Sequence, residues 1–380
     1  MAGRFPSGQV IGGRYRLQSL LGQGGFGEVY VAEQLGLDRP VALKLLHGPC
    51  VDPVVQERFE REARLAQRLE HPNTVRLLDF GLDADGSPYI AFELLRGRPL
   101  GALLREQGSL PPRRVCRIAE QVLKSLMEAH GLGIVHRDVK PANLFVTEHA
   151  GEPDFCKVLD FGIAKSLDSR TKALTSDGEV VGTPAYMAPE AFSGEPLTPA
   201  ADLYSLGIVM TEMLSGARLL TGDALGIVTR HLSSEPLPLP GVVTASPLGP
   251  VVARATAKHP AARYPSAAEM LREVEAVHAR LGAAPEPTVS SPPPDLARRP
   301  APTLGVTQPG SAAMPLGVAP PPQSRRRDED WTGLLVAAAA IVCLLVAGAW
   351  VVYHYLDIDA YLGGPKSAAP PASAAPRPRR

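Results

Sequence analysis

The chain has 380 residues, with 39 Lys plus Arg against 39 Asp plus Glu, so no global field recruits nucleic acid or another polyanion. Glycine and proline contribute 36 and 39 residues and are unevenly spread, so length overstates the folded part. Cys50, Cys116, Cys156 and Cys343 lack any paired spacing suited to zinc or a disulfide framework, and they read as buried or membrane thiols in a reducing compartment.

The first twenty residues carry Arg4, Arg14 and Arg16 and lack the apolar core of a secretory signal, which keeps the N-terminus in the cytoplasm. From Tyr15 a strand pattern runs through Leu17, Leu20 and Leu21 into Gly22-Gln23-Gly24-Gly25-Phe26-Gly27, then resumes at Glu28-Val29-Tyr30-Val31. Dinucleotide-binding folds use the same glycine spacing to open a helix. Here β-branched residues follow, which predicts a hairpin whose backbone N–H groups can close over phosphates. The next strand, Pro40 to Leu46, is apolar except for Lys44, and an unpartnered buried lysine is costly. A helix predicted over Val54 to Leu69 points Phe59, Ala63, Ala66 and Leu69 inward and brings Glu62 near that face as a partner for Lys44. His71-Pro72 ends the helix. Strands follow at Val75 to Phe80 and Tyr89 to Leu94 around the Asp83-Ala84-Asp85-Gly86 turn, so five strands and one helix form a small N-terminal lobe. Beyond Gly97 the periodicity becomes helical, at Leu100 to Glu106 and Val115 to His130, as expected of a larger helical lobe.

Ile134 to Val146 is a polar core between two apolar, β-prone runs. Asp138 can accept a proton from an attacking hydroxyl, Lys140 can neutralise a transferring phosphoryl group, and Asn143 offers a carbonyl oxygen to Mg²⁺. A hairpin around Glu148 to Asp154 leads to Asp160-Phe161-Gly162, seventeen residues after Asn143. Ile163 to Val181 is polar and turn-rich and ends at Gly182-Thr183-Pro184, shortly before Ala188-Pro189-Glu190. His136, Arg137, Asp138 and Asn143 match every fixed position of H-R-D-x-x-x-x-N. With the glycine hairpin, D-F-G and A-P-E, they make residues 14 to 281 resemble the eukaryotic-type protein kinases, of the bacterial membrane-anchored, receptor-like branch.

The resemblance implies an α+β fold with a β-rich and a mainly helical lobe over residues 14–282. It implies an ATP site made by Leu21, Gly22, Gly24, Gly27, Val29, Ala42 and Lys44, with backbone groups of Glu93 to Leu95 holding adenine and Phe92 behind them. Glu62 would position Lys44. Asn143 and Asp160 would hold Mg²⁺, and Asp138 would act as base beside Lys140. Lys140 and Thr183 resemble the serine/threonine branch, so the expected partners are proteins bearing those hydroxyls. Asp202, at the start of a helix predicted over Thr198 to Gly216, resembles the buried aspartate that supports the catalytic-loop backbone, and Arg263 resembles the partner of Glu190. A last helix is predicted from Ser266 to Leu281. Arg137 beside the catalytic aspartate implies regulation by an activation-segment phosphate, with Thr175 the expected site, Ser176 adjacent, and Thr183 closer to the catalytic loop. Two other readings are a membrane-tethered pseudokinase scaffold, whose usual loss of a catalytic lysine or aspartate is absent, and a kinase-fold small-molecule phosphotransferase, which would not need the Thr183 segment.

Residues 283–330 hold twelve prolines and no periodic apolar face, which predicts a disordered linker. Residues 332–353 carry no formal charge over 22 positions. As a helix they span about 33 Å, enough for a bilayer core. Trp331, Trp350, Tyr353 and Tyr355 suit its interfaces, and Arg325 to Arg327 place the preceding side in the cytoplasm. The expectation is a single-pass cell-membrane protein with a cytoplasmic catalytic domain, a short outer tail at 354–380, and a homodimer that would permit phosphorylation in trans.

Overall fold

The computed structural model describes residues 3–25, 27–48, 50, 52–149, 151–162 and 183–283. Thr175, Ser176, the proline-rich linker, the uncharged run at 332–353 and the tail lie outside these residues. Among the described residues no helix is long and apolar enough to cross a membrane.

The first lobe is an antiparallel sheet built from β1 (Val10–Ile11), β2 (Tyr15–Gly24), β3 (Gly27–Gln34), β4 (Arg39–Leu46), β5 (Leu77–Leu82) and β6 (Pro88–Glu93), in the order β1-β2-β3-β4-β6-β5. Strand alternation gives it two apolar faces. Tyr15, Leu17, Tyr30, Ala32, Val41, Leu43 and Leu45 pack with Ile11 on the outer face. Val29 pairs with Lys44, Lys44 with Ile90, and Ala42 with Phe92, and directly opposed residues share a face. Val29, Ala42 and Lys44 therefore turn inward.

Helix α1 (Pro53–Ala66) follows β4. Asp52 caps it by accepting from Val54 N at 2.8 Å, with Pro53 at the first helical position. Phe59, Ala63 and Ala66 are buried in one core with Leu46, Leu77 and Ile90. The helix is shorter than its apolar stripe. Gln67 closes it by donating to Ala63 O, and Leu69, though buried, lies in the following turn. Val75 likewise precedes its expected strand: its N–H donates to Val158 O, and Val158 N donates back to Asn73 O. These bonds tie the turn to the second lobe. The folded unit also begins before residue 14, because Val10 and Ile11 pair with Arg16 and Tyr15.

The second lobe opens with β7 (Arg98–Pro99), α2 (Leu100–Gln107) and α3 (Pro112–Gly131), and continues through β8 (Leu144–His149) and β9 (Glu152–Val158). β7, β8 and β9 form a three-stranded sheet in that order. Helices α4 (Glu190–Ser193), α5 (Pro199–Ser215), α6 (Ala224–Leu232), α7 (Gly241–Thr244), α8 (Gly249–Ala255) and α9 (Ala267–Ala283) complete it. Every residue of α5 from Ala201 to Leu214 is buried. A helix closed off on all sides has to be central, so α5 forms the axis of this lobe. The periodicity foresaw α5 and the last helix but missed β7, α4 and α6 to α8, the longest of which, α6, has only 9 residues.

His231 on α6 is fully buried, and its Nδ1 lies 2.8 Å from the Tyr204 hydroxyl. Burial, with a smaller contribution from Lys258, pushes its pKa down from 6.5 to about 4. The unfolded chain therefore takes up this proton first as pH falls, so stability that is complete above about pH 6.5 drains away toward pH 4. The shift is worth about 3 kcal/mol. Denaturant unfolding of residues 1–283 at pH 7 and pH 4.5 should show a larger acid loss for wild type than for His231→Phe, and equal losses would contradict this assignment.

Candidate active site

Asp202 is 1 % exposed in the first turn of α5. Its Oδ2 accepts from His136 N at 2.8 Å and its Oδ1 from Arg137 N at 2.8 Å, while His130 Nε2 lies 2.8 Å from Oδ2. One carboxylate thus holds two successive amides of the loop that links α3 to β8. Arg137 adopts a φ of 64°, a left-handed conformation that a side chain occupies only under constraint. His136 is fully buried, its Nδ1 accepts from Asp138 N at 3.2 Å, and its Nε2 donates to Leu159 O at 2.8 Å. The loop is therefore tied forward to the segment that carries Asp160.

Asp138 follows this anchor. Its Oδ2 lies 2.8 Å from Lys140 Nζ and accepts from Asn143 Nδ2 at 2.8 Å. The same Asn143 amide donates to Asp138 O at 2.9 Å, which leaves Oδ1 as the atom that could face a cation. Leu159 N donates to Asn143 O at 2.8 Å, placing Asp160 immediately beyond Asn143. Asp160 has a φ of 54° and a side chain 41 % exposed, and its Oδ1 receives Lys44 Nζ at 2.7 Å. Phe161 is buried against the His136 ring, with centroids 4.7 Å apart. Asp138, Lys140 and Asn143 thus form one polar group and Lys44 with Asp160 another, the two connected through the Leu159 N–Asn143 O bond.

Glu62 was the expected partner of Lys44, and the contact described for Lys44 Nζ is with Asp160 Oδ1, 116 residues away. Glu62 is half-buried on α1, one residue before buried Ala63. Among the described residues no three or more His, Cys, Asp or Glu side chains gather to cage a metal. Asp160 and Asn143 Oδ1 instead offer two hard oxygens, a set suited to Mg²⁺, which keeps waters and completes its shell with substrate phosphates.

The glycine hairpin joins β2 to β3, with Gly24 opposite Gly27. A Cβ at Gly27 would lie 2.1 Å from Leu45 O, so the sheet itself demands that glycine. A Cβ at Gly22 or Gly24 would meet nothing within 4 Å among the described residues, so their bareness serves access rather than packing. Leu21 is exposed, and Val29 and Ala42 are half-buried on the inward face. Glu93 and Leu95 lie in the link between the lobes. Glu93 Oε1 accepts from Arg76 N at 2.9 Å and from Lys157 Nζ at 2.6 Å, which fixes that link from behind. Thr183 lines a cleft of about 570 Å³ with Lys140, Pro141 and Tyr186. Tyr186 donates to Glu212 at 2.6 Å, and burial with that bond holds its hydroxyl well above the ordinary range, so it remains a donor.

Glu190 and Arg263 meet as expected: Nη1 and Nη2 reach the two carboxylate oxygens at 2.6 and 2.9 Å, with Arg263 fully enclosed. Arg137 is an exposed residue of this loop. The sequence reading did not single out Lys157, His130 or Glu28. Lys157 carried a weaker form of the signal at Lys44, a cation within the short apolar run Phe155 to Leu159. His130 was visible only as the end of a helix, because its partner lies 72 residues away.

A model of the protein kinase domain matches residues 15–235. The serine/threonine-protein kinase pkn3 of Myxococcus xanthus is 42% identical over 295 residues, covering 75% of this chain and 54% of pkn3. PknA of Mycobacterium tuberculosis is 38% identical over 306 residues, covering 79% of this chain and 69% of PknA. The crystal structure of the Mycobacterium tuberculosis PknI kinase domain superposes with a TM-score of 0.56 at 28% identity, covering 72% of this chain and 99% of that domain. The chain spans about half the length of pkn3 and of several other curated relatives. With the two lobes and their connected polar groups, these matches establish that the chain belongs to the protein kinase family.

Proposed function

We propose that this protein transfers the γ-phosphoryl group of ATP to serine or threonine hydroxyls of proteins, and that it does so from the cytoplasmic face of the cell membrane. The observation that carries the reading is the pair of polar groups, Asp138 with Lys140 and Asn143 and Lys44 with Asp160, held by contacts of 2.7 to 2.9 Å and joined by the Leu159 N–Asn143 O bond. The names of pkn3 and PknA favour the serine/threonine class.

Phosphoryl transfer asks a protein for positioning and charge more than for covalent chemistry. The Asp138 carboxylate orients the attacking hydroxyl and takes its proton. Lys140, 2.8 Å away, pairs with that carboxylate and faces the charge that develops on the transferred group. Lys44 exchanges part of its bond with Asp160 for the α- and β-phosphates, with Glu62 supporting it. Gly22, Gly24 and Gly27 let backbone amides approach the phosphates, and Leu21, Val29, Ala42 and the backbone of Glu93 to Leu95 hold the base. Mg²⁺ bound by Asp160 and Asn143 would neutralise the phosphate oxygens.

The uncharged run at 332–353 anchors the chain. The linker of 48 residues has a root-mean-square reach of about 40 Å as a flexible coil, so the catalytic domain stays near the bilayer. Tethering raises the local concentration of neighbouring kinase domains and favours phosphorylation in trans within a homodimer. Thr175, eight residues before Thr183, is the proposed switch, with Ser176 beside it. Its phosphate would meet Arg137 in a charge-assisted pair.

With labelled ATP, Asp138→Asn should retain nucleotide binding and lose transfer by about a hundredfold or more, whereas Lys44→Met should weaken both. A rate near wild type for Asp138→Asn rejects that base. Mass spectrometry of autophosphorylated protein should find phosphate at Thr175, and full activity of the combined Thr175→Ala, Ser176→Ala variant rejects the switch. Full-length protein should stay with membranes after a high-salt wash, and a reporter fused after Arg380 should be active outside the cell. Recovery in the soluble fraction contradicts the anchor.

A further inference from the structure

The residue that follows the last glycine of the hairpin is a carboxylate that the phosphate chemistry does not use. Glu28 is only 3 % exposed. Its position in β3 is on the face opposite Val29 and Lys44, so it points away from the cleft, into the same outer layer as Tyr30 and Ala32. A buried carboxylate requires donors, and here they come from the segment before β1 and from Tyr30 on the same strand. Arg4 N donates to both Glu28 oxygens, at 3.0 and 3.3 Å, and the Tyr30 hydroxyl donates to Oε2 at 2.5 Å. Phe5 N donates in turn to the Tyr30 hydroxyl at 3.1 Å, and the two rings meet edge to face with centroids 6.3 Å apart.

The segment is held along its length as well as at this point. Gly8 N donates to Leu17 O and Leu17 N to Gln9 O, both at 2.8 Å, so residues before β1 are laced to β2. Gly12 N donates to Asp83 Oδ1 at 2.9 Å, which secures the far end to the β5–β6 turn. A Cβ at Gly3 would lie 2.2 Å from the Tyr30 hydroxyl, so any side chain there would displace that hydroxyl or the strap. The strap therefore has one end on the rigid part of the sheet and the other on Glu28, the first residue after Gly27. At the hairpin tip His47 Nε2 donates to Gly24 O at 3.3 Å, and a Cβ at Gly22 or Gly24 would meet nothing within 4 Å among the described residues.

From this geometry we infer that Glu28 is a positioning residue for nucleotide: through Arg4, Phe5 and Tyr30 the N-terminal strap holds the glycine hairpin down over the phosphates and sets how fast nucleotide leaves. The inference rests on the kinase reading for its nucleotide and on the strap contacts alone for its mechanics. Holding by a few hydrogen bonds, with two donors meeting at the Glu28 carboxyl group, corresponds to an effect of about one order of magnitude in an equilibrium constant. Glu28→Ala removes both acceptors. Glu28→Gln keeps them in part, since its carbonyl can accept from Arg4 N while its amide donates to the Tyr30 oxygen. Tyr30→Phe removes the relay to Phe5 and leaves the Arg4 contact.

The test uses the full-length protein in detergent, with a fluorescent ADP analogue as probe, ATP kinetics, and hydrogen exchange of the amides from Leu20 to Val31 without nucleotide. Glu28→Ala should release the analogue about tenfold faster, raise KM for ATP by a similar factor with kcat changed less than about twofold, and speed exchange in the hairpin while α5 exchanges as in wild type. Tyr30→Phe should show a smaller change in the same direction, and Glu28→Gln should return most of the way to wild type. Unchanged release, KM and hairpin exchange in Glu28→Ala overturn the inference, as does a uniform rise in exchange across both lobes, which would make Glu28 a general stability residue. A wild-type protein that neither binds the analogue nor transfers phosphate overturns the kinase reading instead, and hairpin exchange in Glu28→Ala and Glu28→Gln then still decides whether the strap holds the hairpin.

Discussion

The carboxylate of Asp202 is the constraint on which the rest of the site depends. Two backbone amides in sequence, those of His136 and Arg137, point into the protein at a place where no strand or helix can satisfy them. Leaving either unpaired would cost on the order of 1–3 kcal/mol. One buried carboxylate on the central helix satisfies both, and in doing so it forces Arg137 into its left-handed conformation and turns Asp138 toward the cleft. The loop geometry is thereby set by α5, the most enclosed element of the second lobe, rather than by the polar residues that would do chemistry. The Glu190–Arg263 pair acts on the neighbouring segment in the same way. With both groups enclosed, loss of one partner would leave an uncompensated charge at a cost of about 3–5 kcal/mol.

The first lobe contributes through parity. Alternation along β3 and β4 sends Tyr30, Ala32, Leu43 and Leu45 to an outer core and Val29, Ala42 and Lys44 to the cleft. A shift of register by one residue would exchange these sets and bury the lysine among tyrosines. Gly27 locks the register where it matters, because only a glycine can pass Leu45 O there. The flat inward face with one cation near its centre thus follows from the sheet. The cation then needs a counter-charge, which comes from Asp160 in the other lobe. Lobe separation and the Lys44–Asp160 distance are for that reason coupled.

Much of this was legible in the sequence where spacing is local. The four fixed positions from His136 to Asn143 lie within eight residues, and the glycine spacing followed by β-branched residues distinguished a hairpin from a helix turn. Lys44 stood out as a charge in an apolar strand, and Asp202 and Arg263 were identified only through family resemblance. What spacing could not supply was pairing across long separations. Asp160 as the lysine's counter-ion, His130 as a second partner of Asp202, Lys157 behind the hinge, and Arg4 against Glu28 join residues 24 to 116 positions apart. Element boundaries moved for a related reason. Val75 reads as a strand residue and is extended, but its hydrogen bonds go to Val158 in the other lobe rather than along β5. Short helices such as α4 and α7, four residues each, are too brief to leave a periodic trace.

The central claim is that Lys44, Asp160, Asn143 and Asp138 form a single nucleotide and metal site. Calorimetric titration of a non-hydrolysable ATP analogue with and without Mg²⁺ tests it most directly, comparing wild type, Asp160→Asn and Asp138→Asn. The account predicts that Mg²⁺ strengthens binding to wild type and to Asp138→Asn, and that Asp160→Asn loses this metal dependence. An equal gain from Mg²⁺ in all three proteins, or no binding of the analogue to wild type, would contradict it.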